Sequence, residues 1–87
     1  MIKVRFYNLS SYKAYATSFL IHKFNRTDDE KARTLLHELI QRIAILRTKD
    51  FDRFLRRIIE VQVQTGIDLS EIVPTPEEVQ QILQYPA

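Results

Sequence analysis

One stretch of the sequence comes close to a zinc-binding helix motif. His37 and Glu38 stand where the motif H-E-x-x-H begins, in which two histidines one turn apart bind zinc and the glutamate activates water. Gln41 replaces the second histidine, and the chain contains no cysteine that could substitute for it. We therefore expect neither a metal site nor any other cofactor.

Nucleophilic catalysis is not indicated either. It requires a base beside the nucleophile and hydrogen-bond donors for the oxyanion. The serines stand in predicted helix caps or helices, and the only glycine is Gly66, so no glycine-rich loop can hold a phosphate. The adjacent acids at 28–30 are explained by their position at a helix start. We expect a protein that is not an enzyme.

Basic residues give the strongest functional signal, and they form two groups. In the first, lysine and arginine are interleaved with tyrosine, a combination that can bind nucleic acid through phosphate contacts and base stacking. Its members are Lys3, Arg5, Tyr7 and Lys13, accompanied by Tyr12 and Tyr15. The alternative is that the tyrosine rings are buried against the first helix and the cations face water.

The second basic group lies near the middle of the chain. Its members are Arg47, Lys49, Arg53, Arg56 and Arg57. The last three project together from one predicted helix, and an ordinary solvated helix face is the alternative to an anion-binding one. Apart from Tyr12 and Tyr15, the two groups together are our candidate contacts for nucleic acid or another anionic partner.

The charge is divided unevenly along the chain. Residues 1–57 contain all 13 lysines and arginines and six of the 11 acids, a net charge of +7, whereas residues 58–87 contain the other five acids and no base, a net charge of −5. Such asymmetry is typical of a basic part that binds an anionic partner. The alternative is that the acidic part packs on the basic helices and neutralises them within one molecule or a dimer.

The length of 87 residues predicts a single domain, 1–87, with a small core. Association can supplement such a core, so we expect a homodimer. The lack of cysteine fits a cytoplasmic protein, and no run of apolar residues is long enough for a membrane span. Residues 1–27 carry five basic and no acidic residues, which also fits a mitochondrial presequence, but an ordinary first strand and helix is the preferred explanation.

The predicted fold is mainly α, a small domain of three to four helices with a short N-terminal β-strand. Apolar side chains alternate with polar ones over residues 2–7, a pattern typical of a half-buried strand, with Lys3, Arg5 and Tyr7 on the polar face. The strand needs a partner, either residues 59–65 or a second subunit of the homodimer. The predicted elements are a strand and lead-in over 1–9 and helices over 10–25, 28–47, 50–65 and 76–84.

Capping signals and apolar spacing define the helices. Ser10 or Ser11 is the predicted cap of the first helix, and Thr27 begins a capping box for the second. The apolar stripe of the second helix fails at 47–50, which predicts a break near 48–50. Thr75 begins another capping box before the last helix, which has proline at its first position.

The segment 59–65 is compatible with two structures. Its apolar residues alternate as in a strand, but they also continue the helix that begins near residue 50. Gly66 favours the helix, because glycine commonly stands just past a helix end, and Ile67 supplies the apolar contact that accompanies it.

The order of strand, helix, capped loop and helix over residues 2–46 is similar to the general layout of the β-ribbon DNA-binding proteins. The similarity is one of pattern and covers about half of the chain. In those proteins, paired strands from two subunits enter the major groove. The resemblance implies a base-reading face made of Lys3, Arg5 and Tyr7.

These observations favour a small regulatory or adaptor protein that acts through protein–protein contacts. A DNA-binding transcriptional regulator is the alternative, in which the basic N-terminal strand and helices contact DNA. The two hypotheses differ in whether the basic surface of residues 1–57 stays open or is covered by residues 58–87.

Overall fold

Four α-helices make up most of the computed structural model, which describes residues 5–85. They are α1 (Leu9–Arg26), α2 (Glu30–Ala44), α3 (Phe51–Thr65) and α4 (Pro76–Gln84), and short 3-10 turns lie at Thr48–Asp50 and Ser70–Ile72. The prediction of a mainly helical chain with four helices is confirmed. Within residues 5–85, no helix is both long enough and apolar enough to cross a bilayer.

Helix α1 begins at Leu9 because Asn8 caps it. The Asn8 side chain accepts a hydrogen bond from the Ser11 backbone N–H, and the Ser11 hydroxyl accepts one from the Asn8 backbone N–H. This reciprocal box satisfies N–H groups that have no partner within the helix. The prediction that Ser10 or Ser11 is the N-cap is therefore wrong, although Ser11 does take part in the capping.

Helix α2 is shorter at both ends than the predicted 28–47. Asp29, not Thr27, is its N-cap, and the Asp29 carboxylate accepts from the Ala32 N–H. At the other end the helix stops at Ala44, where the Lys13 ammonium lies 3.4 Å from the Ala44 carbonyl and 3.2 Å from the Leu46 carbonyl. A cation at this position also stabilises the negative end of the helix dipole.

Helix α3 extends through the ambiguous segment 59–65, so that segment does not form a strand. Gly66 follows the helix at φ 74°, a left-handed conformation that residues with a Cβ rarely adopt. Before the helix, the predicted break corresponds to the 3-10 turn Thr48–Asp50. This turn redirects the chain, so that α2 and α3 pack against each other.

No strand is present in the described part of the chain. Residues 2–4 of the predicted strand lie outside the described residues, and residues 5–7 are irregular, with bends at Arg5 and Tyr7. Phe6 is buried and Tyr7 is exposed, as the alternation predicts. The backbone N–H groups bind side chains instead of a neighbouring strand, since that of Arg5 donates to Glu78 and that of Tyr7 to the Ser11 hydroxyl.

Aromatic rings join the N-terminal segment to the helices in one core. The Tyr12 ring packs edge-on against Phe6 and Phe51, with ring centroids 5.0 and 5.1 Å away. Its hydroxyl donates to the Ile72 carbonyl at 2.6 Å, and burial raises the pKa of this phenol. Tyr12 is thus a core residue, in agreement with the alternative that the tyrosine rings are buried. Tyr15, in contrast, is 42% exposed.

Candidate anionic-partner site

Arg5, a predicted contact for an anionic partner, binds a carboxylate of its own chain. Its Nε and Nη2 donate to the two carboxylate oxygens of Glu78 at 3.1 and 3.2 Å, its backbone N–H donates to the same group at 3.0 Å, and Nη1 donates to the Glu71 carbonyl at 2.8 Å. Such bidentate, charge-assisted bonds are the strong kind. We call the Arg5–Glu78 pair the N-terminal clamp.

Glu78 is the only charged residue among residues 5–85 that is almost completely buried. Burial by itself would raise the pKa of its carboxyl, but hydrogen bonds from the Arg5 side chain and from the backbone N–H groups of Thr75 and Arg5 lower it to about 2. The same carboxylate belongs to the capping box of α4. The clamp therefore ties the N-terminal segment to α4 and leaves Arg5 little capacity for an external anion.

Of the remainder of the first basic group, only Tyr7 and Lys13 lie within the described residues. Lys13 is bound to the end of α2, as described above, and Tyr7 is 70% exposed. Lys3 lies outside the described residues. The base-reading face of Lys3, Arg5 and Tyr7 is thus not supported by the described part, because residues 5–7 form no strand and Arg5 is paired with Glu78.

The second basic group divides into paired and open members. The Arg57 guanidinium binds Glu38 on α2 at 2.9 and 3.1 Å and Glu60 at 3.3 Å. The hydrogen bonds from Arg57 are the main reason that the pKa of Glu38 is lowered. Arg56 pairs with Asp52 one turn away at 2.8 Å, but both side chains are largely exposed, so this bond is weak.

Arg47 and Arg53 line the same hollow at the corner between α2 and α3. The hollow has a volume of about 470 Å³. We call it the corner groove, and its lining residues are Arg42, Ile45, Leu46, Arg47, Asp50, Arg53 and Phe54. Six residues connect the two helices, and the last three form the 3-10 turn. Four of the six, Ile45, Leu46, Arg47 and Asp50, line the groove.

The apolar part of the corner groove includes one residue that is unusually open to solvent. Ile45 is 79% exposed, whereas Leu46 and Phe54 are only 5% and 3% exposed. Ile45 is the residue that follows the last turn of α2, and its backbone N–H bonds to the carbonyls of Arg42 and Ile43. The groove therefore combines a buried apolar base with an apolar side chain that no part of the described fold covers.

The three arginines of the corner groove differ in how they are neutralised. Arg42 binds Glu38 at 3.1 Å, and Arg47 lies 3.5 Å from Asp50 in a largely exposed pair. Arg53 is exposed, and in residues 5–85 it has no ion pair or hydrogen bond to its side chain. The neighbouring Lys49 is likewise exposed and without such a partner in that range.

The acidic C-terminal part does not cover this corner. Among the described ion pairs, carboxylates after residue 57 bind only Arg5 and Arg57. Asp68, Glu71 and Glu77 are exposed. The arginines of the corner groove therefore remain a positive surface, and the exposed acids Asp68, Glu71 and Glu77 form negative surface elsewhere.

Of the seven residues that line the corner groove, sequence reasoning identified Arg47 and Arg53 and missed the other five, among them Arg42 and Ile45. Both lie within the predicted second helix, 28–47, but neither was predicted to contact a partner. An isoleucine that lies off the stripe, directly before the predicted break, is the signal that could have indicated an exposed apolar residue at the corner.

The residues of the incomplete zinc motif do not converge on a site. The His37 ring lies 6.2 Å from the Phe24 ring, and Gln41 is exposed. Within residues 5–85, no group of three or more histidines and carboxylates is arranged to hold a metal ion.

Comparisons with protein-family models, with curated proteins and with solved structures found no match. The function must therefore be inferred from the geometry of the chain itself.

Proposed function

We propose that this chain is a small, non-enzymatic regulatory or adaptor protein of the cytoplasm, which acts by binding another protein at the corner groove. One observation carries the proposal: Arg47 and Arg53 lie around the same hollow as the exposed side chain of Ile45. The fold itself makes little use of these side chains, because Arg53 has no partner in the described part and Ile45 is uncovered.

The composition of the groove favours a protein partner over nucleic acid. Arginine together with large apolar side chains is typical of the energetically important centre of protein interfaces. Sequence-independent nucleic-acid binding instead requires several cations that follow a phosphate backbone, or aromatic platforms for bases. Near the groove, Phe54 is buried, so its ring face is not open for stacking.

DNA binding remains the second candidate function, and a different observation favours it. Lys49 and Arg53 are exposed and unpaired within residues 5–85, and the acidic C-terminal part leaves them open. Two or three phosphate contacts at this corner support only weak, strongly salt-dependent binding. DNA contact through the N-terminal residues Lys3, Arg5 and Tyr7 has less support, because Arg5 is paired with Glu78.

We also propose that the protein is a homodimer, now on narrower grounds. The small core and exposed apolar side chains such as Ile21 on α1 and Leu83 on α4 support association. The unpaired strand no longer supports it, because residues 5–7 form none. Light scattering at micromolar concentration should give about twice the 10.4 kDa mass of the chain, and a monomer at every concentration would contradict the proposal.

Site-specific photo-crosslinking in the producing cells tests the proposed function. A photoreactive phenylalanine derivative replaces Ile45 in one variant and Val63 in a control, because these two side chains are 79% and 78% exposed. We expect a discrete adduct from position 45. Protease should destroy this adduct and nuclease should leave it intact. The additional change Arg53→Gln should reduce its amount. A nuclease-sensitive adduct would favour DNA or RNA binding, and identical adducts from both positions would contradict a role for the groove.

A further inference from the structure

We propose that the corner groove binds a short acidic peptide segment in which a large apolar side chain stands beside carboxylates. This inference rests on the proposed function and names the chemistry of the partner. The apolar side chain lies against Ile45 and the base of the groove, and the carboxylates pair with Arg53 and Arg47.

The carboxylate contacts follow from the state of the arginines. Arg53 is exposed and has no partner to give up within residues 5–85. Arg47 has Asp50 at 3.5 Å, but the Arg47 side chain is 67% exposed, and exposed pairs of this kind contribute little free energy. A ligand carboxylate can therefore replace Asp50 at small cost and form a bidentate bond to the guanidinium.

Arg42 has a different part in the same groove. It shares the Glu38 carboxylate with Arg57, which binds that carboxylate through two nitrogens. Arg57 maintains this link between α2 and α3 without Arg42, but the Arg42–Glu38 bond of 3.1 Å is shorter than the 3.5 Å contact between Arg47 and Asp50. Arg42 therefore stays on its own carboxylate, and selectivity for negative charge comes from Arg47 and Arg53.

The apolar contact follows from shape and exposure. A hollow of about 470 Å³ lies within the range of sites that take small ligands or single anchoring side chains. Leu46 and Phe54 form its buried base, and Ile45 stands 79% exposed beside it. Covering Ile45 with a phenylalanine or leucine side chain removes apolar surface from water, which neither a phosphate backbone nor an inorganic anion can do.

Charge complementarity selects an acidic segment over a neutral one. The lining contains three arginines and one aspartate, and Lys49 adds a further exposed cation nearby. A short segment fits better than a flat protein surface, because the groove is a concave corner between two helices. A few side chains anchored in such a hollow can supply most of the binding free energy even when the contact area is small.

Fluorescence anisotropy with defined peptides tests the inference on the full-length chain. The probe is a labelled peptide with a phenylalanine between pairs of glutamates. One control peptide has alanine in place of the phenylalanine, and the other has glutamine in place of each glutamate. We expect the probe to bind and each control to bind roughly tenfold or more weakly, the loss expected when an anchor or a set of charge pairs is removed.

Matched variants locate the binding on the protein. Arg53→Gln and Arg26→Gln each remove one exposed arginine without a described side-chain partner, and Ile45→Ser and Val63→Ser each remove an apolar side chain of almost equal exposure. We expect Arg53→Gln and Ile45→Ser each to lower the affinity for the probe by roughly three- to tenfold. Arg26→Gln and Val63→Ser should leave its affinity unchanged.

The outcomes separate this inference from the proposed function. Equal losses in the members of either pair would overturn it, as would equal binding of the probe and the glutamine peptide. Displacement of the probe by duplex DNA at a lower concentration than by unlabelled peptide would replace the peptide with nucleic acid as the ligand. A protein adduct at position 45 in cells without any binding of the probe would leave the adaptor function standing and refute the acidic segment.

Discussion

Arg5 and Arg53 are the same residue type in two regions of the molecule that use it differently. Arg5 faces a buried carboxylate and two structural elements at once, so its charge holds the N-terminal segment to α4. Arg53 faces solvent at the corner groove and has no partner in residues 5–85. The comparison shows that the surroundings of a cation, and above all the burial of its carboxylate, decide whether it stabilises the fold or is available to a partner.

The largest effect should come from removing the carboxylate of the clamp. Glu78→Ala breaks the bonds to Arg5 and the capping box of α4 together. We expect a loss of about 2–4 kcal/mol in the free energy of unfolding, measured by urea denaturation. Arg53→Ala is the matched case at the corner groove and should stay within about 0.5 kcal/mol of the parent chain. Similar losses for the two variants would abolish the distinction between the regions.

Acid should weaken the clamp, because protonation of Glu78 removes the negative charge that Arg5 binds, whereas the guanidinium groups of the corner groove keep their charge. The contacts of the clamp lower the pKa of Glu78 from its ordinary value of 4.5 to about 2 in the folded chain. The clamp contribution is therefore fully present above pH 4.5 and is lost as the pH falls through that value towards 2. We expect a loss of roughly 2–3 kcal/mol over this window, a value reduced because the Arg5 side chain is 37% exposed.

Glu78→Gln is the control for that titration. Glu38 also has a lowered pKa, so part of the acid loss should remain in the variant. The difference between the two stability profiles between pH 7 and pH 2 isolates the clamp. Parallel profiles would show that Glu78 does not carry the charge that its contacts indicate.

Lys13 provides a second test of whether a cation stabilises the fold or is available to a partner, with a smaller expected effect on stability. Lys13 was a predicted contact for an anionic partner, but its ammonium binds carbonyls at the end of α2. Lys13→Met should lower the free energy of unfolding by about 0.5–1 kcal/mol, the usual effect of a cation at a helix C-terminus. Lys49→Met removes a cation without a described partner and should have no measurable effect on thermal unfolding. Equal midpoints for the two variants would contradict the structural role of Lys13.

The helices were predictable from sequence because their signals are local. Thr75 and Glu78 form a capping box three residues apart, and Gly66 ends α3 in a left-handed conformation. The clamp could not be predicted, because it joins Arg5 to a residue 73 positions away. The alternation at residues 2–7 indicated correctly that Phe6 is buried, but burial of one side does not require a strand when side chains can bind the backbone N–H groups.

The corner groove was predictable only in part. Arg47 and Arg53 were identified as members of a basic group, but a group in sequence does not show which of its members share a surface. Helix packing places Arg42 beside them and directs Arg57 towards Glu38. Which arginines remain open thus depends on the contact between α2 and α3, and the spacing of charges along one helix does not define that contact.

Asp50→Asn should have only a small effect on stability and should give the clearest contrast with the clamp. At the clamp, loss of a carboxylate removes a buried partner, whereas Asp50 is partly exposed, pairs only weakly with Arg47 at 3.5 Å and makes no capping hydrogen bond to α3. The variant should therefore lose less than about 1 kcal/mol of unfolding free energy, the most that a charge near a helix N-terminus commonly contributes. It also releases Arg47, so the acidic phenylalanine peptide should bind roughly two- to fivefold more tightly, which corresponds to removal of one exposed competing pair. Weaker peptide binding in Asp50→Asn, with folding intact, would mean that Asp50 positions Arg47 for the ligand instead of competing with it.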